Sequence, residues 1–146
     1  MNTDKEKGTL VTGTIGDDVH SLGIKFLEYA LRNVGFKVVG LGIQTTQEDF
    51  IKAAIETDAD AILISSLSGH GAILCAGMRE KCIEAGLKDI LLYVGGFLTT
   101  GIETWEDVYQ QFKDMGFDRI YPPTTLPMQP IADLESDLGI KPKPEK

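Results

Sequence analysis

No apolar run in this 146-residue chain approaches the length of a membrane span, and the opening MNTDKEKGTL lacks the hydrophobic core of a secretory signal. Basic residues are scarce as well. Fourteen Lys and Arg against 22 Asp and Glu give a net charge of −8, with no basic cluster to track a phosphate backbone or an anionic bilayer. Neither nucleic acid nor membrane is expected as a partner, and a cytoplasmic protein is expected. Only two cysteines occur, Cys75 and Cys82. The pattern around them predicts one helix, on which they would lie about 10 Å apart at the helical rise. A disulfide spans at most roughly 7 Å between Cα atoms. Two free thiols are therefore expected, and their spacing fits no common metal motif.

With 42% hydrophobic residues, the chain can build one core. Its expected organisation is a single domain over residues 7–140, with mobile charged or proline-rich tails at 1–6 and 141–146. Strand and helix signals alternate along that domain. "GTLVTGTI" reads as a buried strand and "HSLGIKFLEYALRNVG" as a helix burying Leu22, Phe26, Leu27, Ala30, Leu31 and Val34. "FKVVGLGI" follows as a strand. Thr45 with Glu48 suggests a capping box opening a helix that turns Phe50, Ile51, Ala54 and Ile55 inward. "DAILISSL" is apolar on both faces, as a central parallel strand must be. A helix through Cys75, Met78 and Cys82 precedes the strand "DILLYVGG", and a helix over 104–115 precedes "DRIYPP". A last helix is expected over 131–138. This alternation predicts an α/β fold: a flavodoxin-like (Rossmann-type) doubly wound parallel sheet of five strands in the order 2-1-3-4-5. Ligands of such sheets bind beyond the carboxyl ends of the strands, here expected where strands 1 and 3 part.

The loops at that edge separate the functions this fold can host. A phosphoacceptor domain needs an aspartate ending strand 3 and a lysine ending strand 5, but Ser65-Ser66 and Tyr121-Pro122 stand there. A flavin site wants a hydroxyl-rich phosphate loop after strand 1. Thr12, Gly13, Thr14 and Gly16 resemble one loosely, and Asp17 and Asp18 would repel the phosphate. The same loop carries His20, one of only two histidines, with Asp18 two residues before it. A carboxylate that accepts the proton from one imidazole nitrogen fixes the tautomer and frees the other nitrogen for a metal. One histidine is too few for a free metal ion, which takes three or four protein ligands. It suffices as the axial ligand of a metal already held by a macrocycle.

Asp18-Val19-His20-Ser21-Leu22-Gly23 is similar to the D-x-H-x-x-G motif of cobalamin-binding domains, Ser65-Ser66-Leu67 to their S-x-L motif, and Gly95-Gly96 to their G-G. The motifs fall in the family's order on the expected strand ends. "FIKAAIETDADAIL", "MREKCIEAGL" and "FKDMGFDRIYPP" extend the likeness to the small, sigma-type subunits of glutamate mutase, also called methylaspartate mutase. The resemblance implies an adenosylcobalamin-dependent isomerase subunit. Its cofactor would lie with the dimethylbenzimidazole base displaced from cobalt, His20 in the base's place and Asp18 bonded to the other ring nitrogen. The nucleotide tail would descend between the sheet edge and the first helix, with Ser65 on the displaced base and Gly23, Gly95 and Gly96 leaving it room. It implies further that L-glutamate and (2S,3S)-3-methylaspartate are interconverted by a radical mechanism begun by cobalt–carbon homolysis. The substrate site would belong to a larger barrel-type catalytic subunit, the chain being inactive alone.

The pattern departs from the family at 68–74, SGHGAIL, and at Phe97-Leu98. His70 reads as a polar rim residue, and Trp105 with Tyr109 as helix packing. A stand-alone corrinoid carrier, methyl-transfer module or sensor is the alternative. Methyl carriers usually place a helical bundle before this domain, and fewer than ten residues precede strand 1 here, which favours the mutase subunit.

Overall fold

The computed structural model describes residues 7–16, 22–66, 69–98 and 103–140. Asp18, Val19, His20, Ser21 and Leu67, and both terminal tails, lie outside the described residues.

Five strands, β1 (Thr9–Thr14), β2 (Lys37–Gly40), β3 (Ala61–Ser65), β4 (Leu91–Gly95) and β5 (Arg119–Tyr121), form one parallel sheet in the order β2-β1-β3-β4-β5. The expected wiring is observed. The register aligns Thr14, Ser65, Gly95 and Tyr121 across four neighbouring strands, so the loops that leave them emerge at one level.

Helices α1 (Leu22–Asn33), α2 (Gln47–Thr57), α3 (Gly71–Cys75), α4 (Met78–Glu84), α5 (Trp105–Asp114) and α6 (Met128–Asp137) cover the sheet. Successive strand side chains point to opposite faces, and this divides the core. Val11, Ile62, Ile64, Leu92 and Val94 pack with Phe50, Cys75, Met78, Cys82 and Phe112 from α2, α3, α4 and α5. Leu10, Ala61, Leu63 and Tyr93 pack with Leu31 and Leu134 from α1 and α6. A cavity lined by residues of α1, β3, β4 and β5 opens on this second face. No helix among the described residues is long and apolar enough to cross a membrane.

Three local expectations are corrected. The capping box opening α2 is Thr46 with Asp49, not Thr45 with Glu48. Thr45 is instead buried in backbone pairing with β1, its N–H on Thr14 O. The segment holding both cysteines is two helices: Ala76 is extended and Gly77 has φ 81°, a left-handed turn that a continuous helix cannot contain. Both thiols are buried and free.

The third correction concerns inward faces. Ile24, Glu28 and Leu31 make the buried stripe of α1, with Leu27, Ala30 and Val34 half-buried, whereas Phe26 is 63% exposed. Ile24, Glu28 and Leu31 stand four and three residues apart, one face of a helix, and hydrophobicity alone does not pick out a glutamate in that stripe. On α2, Ile55 is 52% exposed while Phe50, Ile51 and Ala54 are buried.

Candidate functional site

A cavity of about 560 Å³ lies at the carboxyl edge of the sheet, walled by α1, the ends of β3 and β4, and the segment from Tyr121 to Pro130. Gly23, Ser65, Gly95 and Gly96, which the sequence motifs place in three separate stretches, all line it. Its sheet residues come from β3, β4 and β5 and none from β1, so it sits beside the β1–β3 parting rather than in it.

The lining is largely apolar. Leu63, Ile64, Val94, Ile24, Leu27 and Ala30 contribute hydrocarbon, and Tyr93 and Tyr121 contribute rings. Those rings meet edge to face with centroids 5.9 Å apart. Their hydroxyls are committed elsewhere: Tyr93 Oη donates to Asp137 Oδ2 at 2.5 Å and Tyr121 Oη to Asp133 Oδ2 at 2.6 Å. Arg119 closes the network, donating to both oxygens of Asp137 at 2.7 and 3.1 Å and standing 3.6 Å from Asp133. The hydrogen bond from Arg119 holds the Asp137 carboxyl below its ordinary value. Burial, reinforced by the aspartate acceptors, pushes both phenols well above theirs. This network ties β4, β5 and α6 together behind the cavity and leaves Ser65 as the hydroxyl at the strand ends that lines it.

The glycines differ in what they do. A Cβ on Gly95 would stand 3.3 Å from Tyr121 Cβ, and Gly96 has φ 111°, so the chain's own packing and backbone require both. A Cβ on Gly23 would meet no atom of the described residues within 4 Å.

His70 is exposed at the start of α3 and does not line the cavity, in keeping with a rim position beside Phe97 and Leu98. Trp105 and Tyr109 pack against each other, centroids 6.2 Å apart, on the outer side of α5. Sequence reasoning missed the proline wall, although "YPPTTLPMQP" signals a stiff turn-rich segment, and it missed Phe26 and Tyr29 as cavity residues. It also passed over Ser66, fully buried with a hydroxyl that has no hydrogen-bond partner among the described residues. The S-x-L match marks Ser65 and leaves Ser66 at its variable position, so no motif points to this buried hydroxyl.

A family model described as the B12 binding domain matches residues 8–120, a span that holds all four motif residues of the cavity and also Asp18 and His20. Curated relatives extend the match. A glutamate mutase sigma subunit of Carboxydothermus hydrogenoformans is 58% identical over 131 residues, 90% of this chain and 96% of the relative. One from Clostridium cochlearium is 57% identical over 136 residues, 93% of this chain and 99% of the relative. This chain belongs to the B12-binding family of the glutamate mutase sigma subunits. The fold itself is more widely shared. A solved cobalamin-binding protein from Desulfitobacterium hafniense superposes with a TM-score of 0.74 at 18% identity, covering 91% of this chain and 60% of that one. At that identity the likeness speaks for the fold alone.

Tested against its own lining, the sigma-family cavity fits a nucleotide tail. It has an apolar volume with aromatic walls, a hydroxyl at the strand end and no side chain at Gly23. A flat heterocyclic base needs those three things.

Proposed function

We propose that this chain is the cobalamin-binding small subunit of an adenosylcobalamin-dependent glutamate mutase, interconverting L-glutamate and (2S,3S)-3-methylaspartate together with a larger, barrel-type subunit. The observation that carries the reading is the convergence of Gly23, Ser65, Gly95 and Gly96 on one apolar cavity in a chain of this family.

In this reading His20 would hold the cobalt of the cofactor. Asp18 would accept a hydrogen bond from the N–H of its other ring nitrogen, fixing the tautomer and keeping the coordinating nitrogen unprotonated and basic. Val19, Ser21, Leu22 and Leu67 belong to the same cofactor surface. Ser65 would hydrogen-bond the displaced base, while Leu63, Val94 and the tyrosine rings would keep water from it. When bound, the cofactor supplies homolytic cleavage of its cobalt–carbon bond, the chemistry that starts the rearrangement. Since the large apolar cavity is taken by the tail, the amino acid and its water-excluded chamber fall to the larger subunit. The chain alone is then inactive.

Two measurements test this. Cobalamin bound and reduced to Co(II) in protein carrying nitrogen-15 histidine should show changed hyperfine splitting in its EPR spectrum, also in a His70→Ala background. An unchanged spectrum overturns the His20 assignment. Isomerisation by the purified chain with adenosylcobalamin and nothing else would overturn the two-subunit reading.

A further inference from the structure

Phe26 and Tyr29 on α1, and Leu126 in the segment between β5 and α6, line the cavity yet are 63%, 67% and 66% exposed. They contribute little to the core. Large apolar side chains grouped at one cavity mouth mark a surface that something else covers.

The wall facing α1 is stiff. Pro122, Pro123, Pro127 and Pro130, all the prolines among the described residues, line it, each with a locked φ and no N–H to offer a ligand. Tyr121 and Tyr93 complete it with their hydroxyls held by Asp133 and Asp137. A wall already ordered costs little further conformational entropy on binding. The selective contacts then come from the side of α1 and from Leu126, which lines the cavity and is exposed.

We propose that Phe26, Tyr29 and Leu126 are specificity-determining residues that grip the planar base of the cofactor's nucleotide tail against the proline and tyrosine wall. This rests on the cobalamin reading above. A flat aromatic heterocycle suits the cavity because it offers two apolar faces to the walls and an edge heteroatom to Ser65. The lining residues include no lysine or arginine to meet the anionic phosphate of the tail, which would stay toward the solvent side. The chain thereby distinguishes a complete corrinoid from one that lacks the nucleotide.

The test titrates the full chain with aquocobalamin and with diaquocobinamide, which carries the same ring without the nucleotide, following corrin absorbance. The unsubstituted chain should bind the complete corrinoid more tightly. Phe26→Ala and Leu126→Ala should each weaken aquocobalamin binding about tenfold, as loss of a base-stacking contact does, and leave diaquocobinamide within about twofold. The thermal midpoint should stay in place, because these side chains are exposed, and Phe26→Tyr, which keeps a ring, should retain binding. Aquocobalamin affinity untouched by the alanine variants, or both corrinoids weakened alike, overturns the grip while leaving the cobalamin reading intact. A chain that binds neither corrinoid overturns the cobalamin reading itself, and the grip with it.

Discussion

Thr12 and Glu28 meet in the interior between β1 and α1, where the threonine hydroxyl donates to Glu28 Oε2 at 2.5 Å and both residues are buried. Lys25 Nζ stands 3.6 Å from the other carboxyl oxygen. Gly40 of β2 backs onto the pair so closely that a Cβ there would lie 2.8 Å from Glu28 Oε2. The bond therefore sets how α1, one wall of the cavity, seats on the sheet. Thr12→Val leaves a buried carboxyl without its donor and should cost about 1–3 kcal/mol, with Thr12→Ser recovering most of it. Urea unfolding checks this, and equal midpoints for Thr12→Val and the parent would refute the role.

The tyrosine network makes a prediction at alkaline pH. Tyr93 and Tyr121 hold their protons in the folded chain above the free phenol value of 10.0, through burial first and their aspartate acceptors second. The native state thus binds more protons than the unfolded chain above that pH. Their contribution to stability is complete below pH 10.0 and is lost as pH rises toward the folded values. A titration at 295 nm should register fewer than the four tyrosinates present in the sequence until the protein unfolds. In Tyr93→Phe with Tyr121→Phe the late-ionising component should disappear. Its persistence would assign it to other residues.

Backbone strain and steric conflict separate at two glycines. Gly77 has φ 81° with open space where a Cβ would go, so Gly77→Ala should cost only the left-handed penalty of about 1–2 kcal/mol. Gly116 has φ 98°, and its Cβ would stand 2.8 Å from Arg79 Cβ. Arg79 cannot yield, being tied to Gly116 O, Ile90 O and Asp118 Oδ2. Gly116→Ala should therefore destabilise more than Gly77→Ala in the same denaturation experiment. The reverse order would disprove this account of Arg79.

Asp18→Asn should bind aquocobalamin more weakly and slow the reconstituted enzyme by about 10–100-fold, the usual effect of altering the partner of a metal-bound imidazole. Far-ultraviolet circular dichroism should be unchanged. Full activity in the variant would make Asp18 a cap of the helix and no more.

The sheet was legible in advance because its strands are written twice, as apolar runs and as the turn residues that bound them. "DAILISSL" can be buried on both faces only in the centre of a parallel sheet, and the strand order followed from crossover rules. The motif residues Ser65, Gly95 and Gly96 were legible because strand ends in such a sheet come to one edge. The helix faces were less so. Phe26 reads as core by hydrophobicity, and the structure exposes it and buries Glu28, which no apolar pattern marks.

What the amino-acid sequence determined alone was the set of elements, their order and the motif positions, since periodicity, breakers and spacing are local properties of the chain. Tertiary structure decided the rest. That Tyr93 and Tyr121 turn their hydroxyls to Asp137 and Asp133, that four prolines make one wall, and that Phe26 faces a cavity while Glu28 meets Thr12 all depend on packing between distant segments. The reason is physical. A side chain's environment is set by which helix lands beside which strand, and the energies that choose it are shared among residues far apart in sequence, where no local pattern records them.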